Sequence, residues 1–222
     1  MNKSKTLNSG AANEGGGATP RQFRRLGILF VVSAPSGAGK STLVNALRQT
    51  PDFVYSVSCT TRAPRLGETN GEDYQFLSME EFRQRLAAGE FLEHAEVHGN
   101  YYGTLRSAVV EQLHSGVDVL IDIDVQGARQ IRDDPSPEIR ASIADIFIMP
   151  PSLEELRRRL TKRGTETPAQ IETRLHNAGD EMEVWRDYRY TIISGSVEED
   201  LLKFRKIMGA ERYLSRRMAL MP

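Results

Sequence analysis

The chain has 222 residues, with 29 Lys and Arg against 30 Asp and Glu, a formal net charge of −1. That length supports one substantial core with room for inserted lobes, and the near-neutral balance argues against a general nucleic-acid binder. The single cysteine, Cys59, excludes an internal disulfide framework and fits a reducing cytoplasm, while the chain has neither an apolar run near the ~20 residues of a membrane span nor the apolar stretch of a secretory signal at its start.

Residues 1–25 are rich in Gly, Ser, Asn and Ala, with three glycines at 15–17. So little apolar content predicts a flexible tail. ILFVVS, residues 28–33, reads as a short buried strand. It runs into Ala34-Pro35-Ser36-Gly37-Ala38-Gly39-Lys40-Ser41-Thr42 and then into a helical pattern ending near Gln49. Strand, Gly-rich loop and helix in that order form the context that makes a phosphate loop credible. The loop N–H groups form an anion nest, and the helix points its positive end at the same place. Lys40 supplies a full charge for the β and γ phosphates, and Ser41 a hydroxyl for Mg2+. The first position of the usual pattern is glycine, where this chain has Ala34. Gly37 and Gly39 are where a side chain would block the phosphates.

From Phe53 the sequence starts as a short strand and becomes a loop dense in hydroxyls, with Arg62, Pro64 and Arg65, before strand alternation resumes at Tyr74-Gln75-Phe76. Ser78 and Glu81 predict a capping box on the helix MEEFRQRLAA, which ends at Gly89. Residues 91–104, FLEHAEVHGNYYGT, alternate around Gly99-Asn100 and predict a short antiparallel pair. A helix over about 105–114 precedes the strand VDVLIDID (117–124), which ends in Asp122 and Asp124. A short helix follows from about Gln126, then a polar loop at 133–138 and a strand at 142–150. Ser152 with Glu155 opens a second capping-box helix, broken at 163–168. A long helix then runs to Trp185, read as core, followed by a last strand at 190–194 and a closing helix over about 198–217. Alternating apolar strands and helices predict an α/β fold, a parallel sheet with helices on both faces. The antiparallel piece at 57–105 is placed to serve as a second, substrate-holding lobe.

SVSCTTRAPRLGETNGEDYQF, FLEHAEVHGNYYGT, DIDVQG and RRLTKRGTET, in this order behind a phosphate loop, resemble guanylate kinase from about residue 26 onward. The resemblance implies a P-loop NTPase-like core (26–56, 106–150 and 184–222), a GMP-binding lobe (57–105) and a mobile helical lid (151–183). It implies transfer of the γ-phosphoryl group of ATP to GMP, with dGMP a further candidate acceptor, in purine nucleotide metabolism. Mg2+ is the implied cofactor and ATP and GMP the substrates, with no nucleic acid, no membrane and a cytoplasmic location; oligomeric state stays open. ATP falls to Ala34 through Thr42, and catalysis to Lys40 with the lid arginines Arg159, Arg163 and Arg174.

The same resemblance assigns the GMP phosphate to Ser58, Arg62, Arg65, Tyr74 and Tyr102. The chemistry agrees, because guanidinium forks suit a dianionic phosphate and Pro64 stiffens their loop. It assigns guanine to Glu93 and Thr104, with Asp124 helping to hold the base. One carboxylate accepts N1–H and N2–H2 together, an arrangement adenine does not offer. Asp122 is read as Mg-side or structural, and two strand-end aspartates capping the next helix remain an alternative. Ser194-Gly195-Ser196 stands where many members have Asn-Asp near adenine, which leaves the adenine contacts open. Two competing readings are a catalytically lost module binding a phosphorylated partner and a kinase for another acceptor. The retained Lys40 and lid arginines argue against the first, and Glu93 with Thr104 against the second.

Overall fold

The computed structural model describes residues 23–97, 99–164 and 166–220. Strand β2 (Leu29–Ser33) is buried along its whole length, and its alternate residues feed two different cores. Phe30 and Val32 pack with Leu43, Val44 and Leu47 of α1 (Lys40–Arg48) and with Phe204 and Met208 of α8 (Val197–Arg212). Leu29 and Val31 face the other way. They meet Val109 and Leu113 of α3 (Arg106–His114), Ala128 and Ile131 of α4 (Val125–Arg132), and Ile139 of α5 (Pro137–Ser142). The sheet is parallel throughout, in the order β10 (Tyr190–Ile193), β9 (Ile143–Met149), β2, β8 (Val119–Asp122), β3 (Val54–Tyr55). Helices on both faces bury it, which is why its strands read as continuous apolar runs. The expected α/β layering is therefore present. The register sets Val32 beside Asp122, so the loop after β2 and the end of β8 share one crevice at the carboxyl edge.

A second sheet has the order β5 (Gln75–Phe76), β4 (Cys59–Thr60), β7 (Asn100–Leu105), β6 (Phe91–Val97). Helix α2 (Met79–Ala87) covers it, with Phe82 stacked on Phe91 at 4.4 Å and packed with Cys59 and Leu105. This sheet is mixed, because β4 and β5 pair in parallel across the long arginine loop. Helices α6 (Leu153–Arg163) and α7 (Pro168–Glu183) share a small core of Leu156, Leu160, Ile171, Leu175 and Ala178.

Several boundaries differ from the sequence expectation. The polar loop at 133–138 turns into α5, since Ser136 caps it and Pro137 sits at its first turn, where proline starts a helix. Ser152 caps α6 through the Glu155 N–H, but the Glu155 carboxylate goes to Arg158 and Arg159 instead of closing the box. Trp185 is 37% exposed on a turn after α7, not core. Helix α8 stops at Arg212, and β11 (Met218–Leu220) pairs with β1 (Phe23–Arg25), so a strand begins inside the expected tail. The rest of that tail, residues 1–22, lies outside the described residues, as does His98.

Candidate active site

After β2 the chain turns through Ala34–Gly39 into α1. Ala34 packs against the β2 core, and Pro35 and Ala38 are buried. Gly37 and Gly39 have φ of +87° and +107°, a left-handed backbone that glycine adopts at little cost. A Cβ on Gly37 would stand 2.8 Å from Leu160 Cδ2 of the lid. Backbone conformation and lid packing, besides phosphate access, therefore hold glycine here. Helix α1 has no side-chain cap and no acidic residue in its first turn, whereas α2, α4, α6, α7 and α8 each carry a Ser, Thr or Asp cap. Such an end can take an anion, although α3 is uncapped in the same way. Lys40 Nζ donates to the Ile123 carbonyl at 3.0 Å and lies 3.8 Å from Asp122 Oδ2. Tyr55 O–H donates to the other Asp122 oxygen. Ser41 and Thr42 are exposed on the first turn.

Helices α6 and α7 lean on this loop, each through one arginine. Arg159 Nη1 donates to the Ala38 carbonyl at 3.0 Å and to Ser194 Oγ at 2.7 Å, while its Nε donates to Glu155 at 2.8 Å. Arg174 Nη1 donates to Ser36 Oγ at 2.8 Å. Two helical turns further on, Glu181 Oε2 accepts the Ser36 N–H at 3.3 Å. Burial pushes the Glu181 carboxyl above its usual range, against the pull of that N–H and of Lys40. Arg163 closes α6, but its side chain lies outside the described residues. The loop, α6 and the residues after β10 line an open cavity of about 230 Å³, with Gly39, Thr42, Arg159, Ser194 and Gly195 among its walls. The Ser194-Gly195-Ser196 departure is built in on every side. Ser194 holds Arg159, Gly195 N–H donates to Asp200 at 3.0 Å, and Ser196 caps α8.

Across the crevice, Arg62 is fixed before any substrate arrives. Its Nη1 and Nη2 reach the two Glu68 oxygens at 3.0 and 2.8 Å, and Nη1 also reaches the Ala63 carbonyl at 2.8 Å. Its guanidinium lies 5.3 Å from the Tyr74 ring centroid, and Tyr74 meets Tyr102 edge-on at 6.0 Å. Glu68 also accepts the Arg65 N–H at 2.7 Å, and the Arg62 guanidinium holds its carboxyl below the usual range. The Arg65 side chain is exposed at the turn, and Ser58 is half-buried, its carbonyl accepting the Gln75 N–H. Burial raises Tyr74, and the Asp122 carboxylate raises it further.

Glu93 and Thr104 sit opposite each other on β6 and β7, next to a register shift between Phe91 and Glu93. Thr104 Oγ1 donates to Glu93 Oε1 at 2.6 Å. Glu93 is 4% exposed, and burial pushes its carboxyl up to about 7, with the Thr104 hydroxyl opposing and Asp124 adding. Asp124 itself caps α4, accepting the Gly127 N–H at 2.8 Å. The capping alternative therefore falls on Asp124, and Asp122 is the aspartate beside Lys40.

Sequence reasoning missed Glu68 and Glu181. The only signal for Glu68 is an acid six residues after Arg62 within an otherwise basic turn. For Glu181 it is the spacing of seven from Arg174, two turns on one helix face.

The guanylate kinase family model matches residues 27–211. A guanylate kinase of Alkalilimnicola ehrlichii (strain ATCC BAA-1101 / DSM 17681 / MLHE-1) is 48% identical over 188 residues, covering 84% of this chain and 90% of that protein. One from Clostridium perfringens (strain SM101 / Type A) is 46% identical over 187 residues, covering 84% of each. The crystal structure of guanylate kinase from Anaplasma phagocytophilum matches with a TM-score of 0.72 at 37% identity, covering 89% of this chain and 92% of that one. With the phosphate loop, the lid and the Glu93–Thr104 pair arranged as described, the chain belongs to the guanylate kinase family, whose reaction is the phosphorylation of GMP by ATP.

Proposed function

We propose that the transfer from ATP to GMP is divided between two differently built halves of the crevice. On the donor half, the N–H groups of Gly37 and of residues 39–41 at the uncapped end of α1 take the ATP phosphates, and Lys40 supplies the mobile charge. The cavity beside Ser194 and Gly195 takes the adenine, read by backbone and small side chains. On the acceptor half, Arg62 and Arg65 take the GMP phosphate with Ser58, Tyr74 and Tyr102. Glu68 and Ala63 engage three of the five Arg62 N–H groups, so the remaining edge is already aimed. Ionised Glu93 accepts both guanine N–H groups, and the Thr104 hydroxyl, whose one proton goes to Glu93 Oε1 before GMP enters, turns it to guanine O6 in the complex. Asp124 has one oxygen in the α4 cap and contributes the other to holding the base. No assigned residue reads the ribose 2′-hydroxyl, which supports dGMP as a second acceptor.

Mg2+ fits the donor set. A serine hydroxyl and a carboxylate are hard oxygen ligands, and this ion takes only one or two protein ligands when substrate phosphates share it. Ser41 and Asp122 are proposed to hold it, Asp122 Oδ2 having only the 3.8 Å pairing with Lys40. When bound, the ion supplies charge compensation across the phosphate oxygens. The GMP phosphate is already largely deprotonated near neutral pH, so no general base is required. Arg174 and Arg163 are proposed to offset charge on the transferring group. Arg159 is proposed to contribute by bracing the lid on Ala38 and Ser194. Closure of the lid over the phosphates excludes water and suppresses ATP hydrolysis.

A cytoplasmic enzyme without nucleic-acid or membrane partners is the proposed setting. The near-neutral charge supports it, as does the buried Cys59 thiol, pushed up to about 11 by burial. No helix among the described residues is long and apolar enough to cross a membrane.

The buried Glu93–Thr104 pair carries the acceptor assignment. The test is ADP formation from Mg-ATP with GMP, AMP, UMP or CMP, beside a Lys40→Ala control. Turnover is expected with GMP alone and about 10³-fold slower in the control. Equal turnover with another nucleotide would overturn the guanine assignment.

A further inference from the structure

We propose that helix α4 aims the Glu93 carboxylate, with Gln130 as the positioning residue that sets guanine discrimination. This rests on Glu93 reading guanine, as proposed above.

Strand β6 is the outer strand of its sheet, so one of its edges has no strand partner. The Gln130 side chain fills that edge at the residue after Glu93. The His94 N–H donates to Gln130 Oε1 at 3.0 Å, and Gln130 Nε2 donates to the His94 carbonyl at 2.7 Å. One primary amide thus does the work of a neighbouring strand, donor to acceptor and acceptor to donor. A carboxylate or an alkyl group at 130 could not make both bonds.

The same helix face touches the carboxylate itself. Gly127 lies three residues before Gln130, on the same side of α4. A Cβ there would stand 2.6 Å from Glu93 Oε2 and 3.3 Å from Ile123 Cδ1. Glu93 is therefore bounded on three sides. Thr104 Oγ1 holds Oε1, the bare Gly127 backbone faces Oε2, and the Gln130 clasp pins the main chain one residue on. Gln130 is exposed and adds nothing to the apolar core, which α4 reaches through Ala128 and Ile131. Its double hydrogen bond across the junction of core and lobe is then a matter of alignment more than of packing.

Reading N1–H and N2–H2 together demands that the carboxylate plane lie along both donors. Reading N1–H alone tolerates a tilt. Hypoxanthine keeps N1–H and lacks the N2 amino group, so GMP and IMP report on the tilt directly. The experiment compares kcat/KM for GMP and for IMP at saturating Mg-ATP in the wild type, Gln130→Ala and Gly127→Ala. Thermal stability and KM for ATP are followed alongside. Gln130→Ala is expected to lower kcat/KM for GMP about tenfold, mainly through KM, and to change IMP less than about threefold. The GMP-to-IMP ratio then falls, with KM for ATP unmoved. Gly127→Ala is expected to shift the ratio the same way, provided it folds; Gln130→Ala, at an exposed position, decides the matter without it. An unchanged ratio in Gln130→Ala with an active wild type would overturn the positioning role alone, as would an equal loss for both acceptors. A wild type that does not prefer GMP would instead overturn the assignment of Glu93.

Discussion

In the proposed division, the donor and acceptor halves of the crevice hold their ligands in opposite ways. On the donor side the ligand groups are mostly backbone N–H, held by two glycines at positive φ and an uncapped helix. On the acceptor side they are side chains, each pinned by another side chain: Arg62 by Glu68, Glu93 by Thr104. Backbone recognition tolerates sequence change, so Ala34 and Ser194-Gly195-Ser196 can depart from the usual pattern without loss of the loop. Side-chain recognition does not, because removing one partner leaves a charge in a desolvated site. Lys40 apart, whose side chain carries the donor half's full charge, mutations on the acceptor side should therefore cost more, and cost it in GMP terms.

After Lys40→Ala, the largest effect is expected at Arg62. Arg62→Lys keeps the charge and loses the fork, which strands Glu68 and the two-donor edge together. kcat/KM for GMP is expected to fall about 10²-fold with KM for ATP unchanged in steady-state assays. A parallel loss for both substrates would break the division between the halves.

An intermediate effect is expected from pH. Burial pushes the Glu93 carboxyl of the folded protein up to about 7, from an ordinary 4.5. The folded protein therefore holds a proton that the unfolded chain releases. The stability linked to this group is full below about pH 4.5 and is lost as pH rises through 7. Guanine needs the ionised form, so GMP binding has the opposite sign and weakens below pH 7, by about tenfold per unit. KM for GMP measured from about pH 8 to pH 6 should show this component. Glu93→Gln should remove it and leave only the titration of the nucleotide phosphate.

The smallest effect is expected on the donor side. Ser194→Ala removes the hydroxyl that receives Arg159 Nη1, but leaves the Ala38 carbonyl and Glu155 as its partners. KM for ATP is expected to rise about threefold, with kcat/KM for GMP changed less. A tenfold loss in GMP use would show that Arg159 acts on the acceptor rather than as a brace.

What could be read from the sequence follows the same division. The phosphate loop is legible because a backbone nest needs glycines at fixed spacing between a buried strand and a helix. Glu93 and Thr104 came from the resemblance; the antiparallel pair around Gly99-Asn100 is legible as alternation about a turn, but the register that sets the two residues opposite each other is not, since Asn100 already pairs with Val97. Partners brought in from elsewhere in the chain were not legible. Glu181 reaches Ser36 from the far end of the lid, and Gln130 reaches His94 from the core. Helix α5 was lost because two prolines read as a loop, although Pro137 stands where a helix begins. The pairing of β1 with β11 joins three residues at each end of the described chain, and no local pattern announces it.

The most direct measurement is calorimetric binding of GMP and of ATP to Glu93→Gln beside the wild type. Loss of GMP affinity by about 10²-fold with ATP affinity intact is the predicted result. Equal weakening of both nucleotides, or GMP binding unaffected by the change, would contradict a crevice whose two halves read their ligands independently.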